Sequence, residues 1–193
     1  AKLPALAESI DTFAAGSGAI RQLVVSGPPA SGRTTLALAI GGEATTRRRK
    51  VRYLSATRLA EKTAYAWERA SDVEQPWQVG EAELVIVDEI PVAMFAGPDI
   101  AAALGALVDC DWNSNRTSVF ERPVGACVPQ PDGSFPPPAG AVREMPQVVW
   151  VVDDQALADR LAAAIAARFP GAPLLHVRLA RAIGSTRVMR AEG

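Results

Sequence analysis

At 193 residues, with 49% apolar and 21% charged side chains, the chain is ordinary for a globular protein and can bury a substantial interior as one domain. Twenty basic residues against 21 acidic ones leave a net charge of −1, which excludes a global field for nucleic acid, so contact with DNA would need a local patch. Two cysteines, Cys110 and Cys127, exclude a disulfide framework, and with the single His176 they offer too few ligands for a metal site. The thiols read as buried or half-buried in a reducing cytosol. No apolar run reaches the roughly 18 residues of a membrane span. The first residues lack the basic and apolar regions of a signal peptide, so a cytoplasmic location is expected.

In chain order, Leu3, Leu6, Ile10 and Phe13 have helical spacing, and the segment Ala14–Gly18 ends that helix. The apolar run Leu23-Val24-Val25 predicts a strand. After it comes Gly27-Pro28-Pro29-Ala30-Ser31-Gly32-Arg33-Thr34-Thr35, which opens into the helical pattern Leu36-Ala37-Leu38-Ala39-Ile40. Strand, glycine-bounded loop and helix form the setting of a phosphate-binding loop. Its glycines permit the turn, its backbone N–H groups converge on phosphate oxygens, and the helix adds its positive end. The spacing fits G-x-x-x-x-G-K-[ST] except that Arg33 stands in the lysine position. Thr34 keeps the hydroxyl that would ligate Mg2+, with Thr35 in support. The helix is expected to run from about Gly32 to Thr46 and to end in Arg47-Arg48-Arg49-Lys50. Those cations read first as partners of the helix dipole, and alternatively as a contact for phosphate backbone.

Val51-Arg52-Tyr53-Leu54 predicts a second strand, and Ser55 an N-cap for a helix over Thr57–Ala70 with Leu59, Ala60, Thr63 and Trp67 inward. Asp72 to Glu81 reads as a loop. Leu84-Val85-Ile86-Val87-Asp88-Glu89 is an unbroken apolar run capped by two acids, a strand buried on both faces with carboxylates at its C-terminal end. In open α/β sheets ligands sit at that edge. Asp88 would hold Mg2+, directly or through water, and Glu89 would orient and deprotonate an attacking water.

A short helix follows over Asp99–Val108. Asp109 to Pro146 is rich in proline and reads as an insertion, in which Thr117–Phe120 and Ala126–Val128 are expected to pair as short strands. Pro131–Ser134 reads as a turn and Pro136–Pro138 as polyproline II. The insertion suits a surface excursion or a partner-docking loop. Gln147–Val152 predicts another strand buried on both faces. Asp153 or Asp154 caps an amphipathic helix over Gln155–Phe169, with Leu157, Leu161, Ile165 and Phe169 inward, and Leu174–Val177 is the last strand. His176 on that strand reads as a satisfied structural residue.

The G-x-x-x-x-G-[KR]-T loop paired with a hydrophobic strand ending in Asp-Glu resembles the P-loop NTPases that carry a catalytic glutamate. Val24–Ala39, Val51–Ala56 and Val85–Ile90 are similar to the AAA+ ATPases of the bacterial helicase-loader and transposition-helper type. The resemblance implies an α/β, three-layer P-loop fold, a parallel five-stranded sheet with helices on both faces. Residues 1–193 are expected to form that one domain, and the helical lid domain usual in AAA+ proteins is expected to have no room here. It implies ATP and Mg2+ as cofactors, adenine near the first helix, action on a nucleic-acid machine and homo-oligomer assembly. The resemblance further suggests a DNA-engaging hairpin in the insertion and an arginine finger among Arg178, Arg181, Arg187 and Arg190. It also expects a polar residue where Asp153-Asp154 stand, and an acid there is repelled by triphosphate unless it ligates metal or points away.

Arginine keeps the charge of lysine but is longer, planar and forked, and needs a differently shaped space. Losing charge placed where the transition state develops it commonly costs about 3–4 kcal/mol. Two readings therefore stand side by side. One is an ATP-binding module with weak Mg-dependent ATPase activity. The other is a degenerate P-loop domain kept as a scaffold or protein-interaction module, with the insertion as its working surface.

Overall fold

The computed structural model describes residues 2–68, 82–112, 115–118, 122–123 and 143–180. Its strands in chain order are β1 (Gln22–Ser26), β2 (Val51–Ser55), β3 (Leu84–Asp88), β4 (Asp109–Trp112), β5 (Asn115–Ser118), β6 (Arg122–Pro123), β7 (Arg143–Glu144), β8 (Gln147–Val152) and β9 (Leu174–Arg178). Its helices are α1 (Lys2–Ala15), α2 (Arg33–Thr46), α3 (Ala56–Glu68), α4 (Ile100–Val108) and α5 (Gln155–Arg168), with one 3-10 turn at Val92–Phe95.

Five strands form one parallel sheet in the order β2-β3-β8-β1-β9. The three central strands β1, β3 and β8 are buried at every position, as their unbroken apolar runs require. Side chains alternate between the faces. Val24, Val85, Val87, Val148, Trp150 and Val152 share one cluster with Leu59, Leu104, Leu107, Leu157, Leu161 and Ile165 from α3, α4 and α5. Leu23, Val25, Leu84, Ile86, Val149 and Val151 share the other with Phe13, Ala37, Ile40 and Ala44 from α1 and α2. The expected α/β architecture, a parallel five-stranded sheet with helices on both faces, is the observed one. Gly41 lets α2 lie close on β3, since a Cβ there would come within 2.8 Å of Ile86 Cδ1.

Local chemistry accounts for the element ends. Ser55 Oγ accepts from Arg58 N–H at 3.2 Å and so begins α3, Asp99 caps α4 through Ala102 N–H, and Asp154 caps α5 through Leu157 N–H at 2.6 Å. Thr117 and Ser118 belong to β5 and pair with Cys110 and Asp109 of β4. Two short strands separated by two residues close a small loop at little cost in chain entropy. Residues 126–128, the expected turn at 131–134, the polyproline stretch at 136–138 and the loop at 72–81 lie outside the described residues, as do the side chains of Trp67, Cys110 and Cys127.

The basic tract after α2 lies at the opposite edge of the sheet from the carboxyl strand ends. Arg47 pairs with Asp11 at 2.7 Å and with Glu43 at 2.8 Å. Arg49 is an internal clamp. It donates to the carbonyls of Phe13 and Ala14 at 3.2 and 2.7 Å, to that of Glu83 at 2.9 Å and to Gln147 Oε1 at 2.7 Å. It thereby ties the end of α1 to the starts of β3 and β8. Two of the four cations are thus engaged within the protein, Arg49 inward rather than solvated at the end of α2. Arg49→Ala strands several acceptors at once and is expected to lower stability by about 2–3 kcal/mol, with Arg49→Lys recovering only part because it lacks the fork. Urea unfolding midpoints of the three proteins measure this.

Candidate functional site

Parallel strands carry the ends of β1 and β3 to the same edge, with β8 alone between them. Two strand spacings set those ends about 10 Å apart. The loop after β1 and the acids at the end of β3 therefore face one region.

The loop is shaped by close approach. A Cβ at Gly27 would sit 2.6 Å from the Leu179 carbonyl oxygen and 2.6 Å from Ser31 Oγ, so no larger residue fits. Ser31 N–H bonds back to the Pro28 carbonyl at 3.1 Å, Ala30 takes φ 62°, and Gly32 takes φ 90° with nothing within 4 Å of its Cβ direction. Pro29 lies on the exposed rim of the same turn. Gly32 is the N-cap of α2 and brings no side-chain cap, so the first N–H groups of the helix keep their donors for another partner. Thr34 and Thr35 are exposed there. Ser31 Oγ is buried and makes no hydrogen bond among the described residues. Open space at Gly32, uncapped N–H groups and an unpartnered hydroxyl are features that a phosphate group fits. Arg33 is folded back, its Nη1 donating to the carbonyl of Gly27 across the loop.

At the acidic end Asp88 is 4% exposed and shares its face of the sheet with Ile86, the face covered by α2. Its Oδ1 accepts the N–H of Glu89 at 2.7 Å, and its Oδ2 accepts the hydroxyl of Tyr53 at 2.7 Å. Glu89 has φ 53°, a left-handed conformation uncommon for a residue other than glycine, and stands exposed between buried Asp88 and Ile90. Burial, then the hydrogen bond and charge of Asp88 and the charge of Glu89, push the Tyr53 hydroxyl up to about 12. Among the described residues no three His, Cys, Asp or Glu side chains come together as a metal site. Mg2+ typically takes one or two protein groups and completes its shell with phosphate and water. Thr34 and Asp88 suit that partial role.

A polar network lies beneath the loop. Ser26, the last residue of β1 and fully buried, donates to Gln155 Oε1 at 3.0 Å and lies 2.8 Å from His176 Nε2. A hydroxyl has one proton, so the bond to His176 has Nε2–H as donor. His176 Nδ1 then faces Asp159 Oδ1 at 3.6 Å, which also accepts from Arg178 at 2.9 Å and from Gln155 Nε2 at 3.1 Å. Arg178, one of the expected finger residues, is held by this ion pair, while Arg181, Arg187 and Arg190 lie outside the described residues. Asp154 is occupied as the cap of α5, and Asp153 is exposed.

Sequence reasoning singled out the loop and the two acids but missed Tyr53. Its signal exists only in three dimensions, because Tyr53 pairs with Ile86 across β2 and β3, one alternation before Asp88. The Ser26–His176 bond was equally hidden, joining residues 150 positions apart.

The loop between a buried strand and a helix, with an acidic strand end one strand removed on a parallel sheet, defines the chain as a P-loop α/β protein. Residues 17–107, just under half of the chain, match the family of IstB-like ATP binding proteins. That stretch holds the loop, β2 and the Asp88-Glu89 strand end, and over it the resemblance to P-loop ATPases of the helicase-loader and transposition-helper type holds. No curated protein sequence matches the chain. Similar solved structures include AMPPCP-bound DnaA from Aquifex aeolicus, at 16% identity and TM-score 0.48, covering 89% of this chain and 45% of that one. The replication initiator DnaA bound to AMPPCP and single-stranded DNA is similar at 18% identity and TM-score 0.49, covering 90% and 46%. The DnaC helicase loader is similar at 10% identity and TM-score 0.45, covering 88% and 86%. The chain thus spans less than half the length of the DnaA proteins.

Burial lowers the pKa of His176, helped by Arg178 and opposed by Asp159. A histidine whose folded pKa lies below its unfolded value resists protonation when folded. Its stabilising contribution is complete above about pH 6.5 and is lost as pH falls through the folded value. Native stability relative to His176→Asn should therefore shrink as pH drops below about 6.5. Urea unfolding of both proteins from neutral to mildly acid pH checks the difference, and the single histidine makes the NMR titration unambiguous.

Proposed function

We propose that this chain binds ATP at the Gly27–Thr35 loop and turns it over slowly, acting in the cytoplasm as a homo-oligomer that assists a nucleic-acid machine. The observation that carries the binding half is the uncapped start of α2, with Ser31 Oγ buried and unpartnered beside it and the acidic strand end on the same sheet edge. The match to IstB-like ATP binding proteins over residues 17–107 supports the choice of nucleotide. Among the described residues no helix is long and apolar enough to cross a membrane.

The roles follow from position. The loop Gly27–Thr35 receives phosphate oxygens through the N–H groups of Gly32 to Thr35 and the hydroxyl of Ser31, while Pro28 and Pro29, which have no N–H, shape its rim. The Thr34 hydroxyl and Asp88 face Mg2+, which when bound offsets charge on the phosphates. Glu89, exposed at the strand end, orients and deprotonates the water. Arg33 leaves Gly27 to reach phosphate. Each turnover must then break the contact that closes the loop, and the planar guanidinium does not restore the point charge of a lysine. The contact of Arg33 with Gly27 also favours the second reading, a domain kept as a scaffold, with residues 109–146 as the surface offered to a protein partner.

Calorimetry with ATP and Mg2+ is expected to register binding below millimolar concentration, and no binding would sink this reading. Arg33→Lys should raise the hydrolysis rate by about tenfold to a hundredfold with a smaller change in affinity. In the same assay Glu89→Gln should retain ATP unhydrolysed. A scaffold shows neither response.

A further inference from the structure

Asp88 is held by two hydrogen bonds of different origin. One comes from the N–H of the next residue and is fixed by the chain itself. The other comes from Tyr53 on the neighbouring strand. We propose that Tyr53 is a positioning residue for Asp88: its hydroxyl fixes the carboxylate plane in the orientation that meets a divalent cation carried in with a nucleotide. The inference rests on the role given to Asp88 under Proposed function.

The register supports it. Ser55 pairs with Asp88 and Tyr53 with Ile86, so Tyr53, Ile86 and Asp88 lie on one face, the face against which α2 begins. Tyr53 is 44% exposed on a strand at the edge of the sheet, so its ring does not serve mainly as core filling. A phenylalanine would pack there as well, and what tyrosine adds is the hydroxyl on Asp88. The high pKa keeps that hydroxyl a donor throughout the neutral range. A carboxylate has about four acceptor positions, so the two occupied here leave others free for a cation or its bound water. Without Tyr53 the nearly buried carboxylate keeps only the Glu89 bond and can turn about its side-chain torsion. The cation must then order it.

The test compares the native chain with Tyr53→Phe and Asp88→Asn, measuring ATP affinity with and without Mg2+. In Tyr53→Phe the Mg2+ concentration at half effect should rise about fivefold, the loss of one modest hydrogen bond, while affinity for Mg-free ATP stays unchanged. In Asp88→Asn the Mg2+ effect should vanish. A second readout needs no nucleotide. In nucleotide-free protein, urea unfolding of the native chain, Tyr53→Phe, Asp88→Asn and the double variant should show non-additive shifts, because the two side chains share one hydrogen bond. If Asp88→Asn abolishes the Mg2+ effect but Tyr53→Phe leaves it unchanged or tightens it, the positioning role is overturned and the nucleotide reading stands. If Asp88→Asn retains the full Mg2+ effect, or no variant binds ATP, both fall. Additive shifts from the two substitutions overturn the hydrogen bond itself.

Discussion

A parallel sheet puts every carboxyl strand end on one side, and this constraint organises the molecule. β1 and β3 are each five residues long, buried throughout, and separated only by β8. Their lengths therefore bring the glycine loop and the acidic pair to one level without any further device. The price is that both faces of the sheet must be covered. α1 and α2 cover one, and α3, α4 and α5 cover the other. Moving one strand by a single residue would turn Asp88 from the face of α2 to the face of α3, so the hydrophobic alternation that holds the core also aims the carboxylate.

The loop shows how little separates a working phosphate cradle from a closed one. Gly27 permits its close contact with the Leu179 carbonyl, and Gly32 takes the left-handed turn into α2. Neither position tolerates a side chain readily, which is what a chain would keep if backbone N–H groups were still to converge. Arg33 departs from this economy. Its reach lets it bridge back to the carbonyl of Gly27, so its charge stabilises the loop itself. A lysine ammonium is compact and mobile, whereas the guanidinium is a planar fork that must be rotated and resolvated before it can serve a ligand.

Much of this was legible from residue order. Unbroken apolar runs at Leu84–Val87 and Val148–Val152 read as strands buried on both faces, and the resemblance to P-loop NTPases implied the parallel sheet covered by helices around them. Caps at Ser55 and at Asp154, one of the two acids expected there, followed from side chains that compete for backbone N–H groups. The illegible parts share a cause. Tyr53, His176 and Arg49 act through bonds to residues 34 to 150 positions away, and nothing local marks their partners. The basic tract is partly hidden for the same reason: its cations read first as partners of the helix dipole, yet Arg49 points inward to carbonyls that only the folded sheet provides.

The network under the loop adds a last step. Ser26 has one proton and two neighbours, and its place at the end of β1 makes it the foot of Gly27. Through Gln155 it meets the first turn of α5, and through His176 it meets β9, whose continuation at Leu179 presses on Gly27. The loop is thus held at its base by α5 and β9, while its tip is held by Arg33. A ligand that draws Arg33 away from Gly27 would release the tip and leave the base intact, because no bond of the Ser26 network passes through Arg33. Opening of this cradle can therefore be local. The sheet beneath it need not move for the loop to change partners.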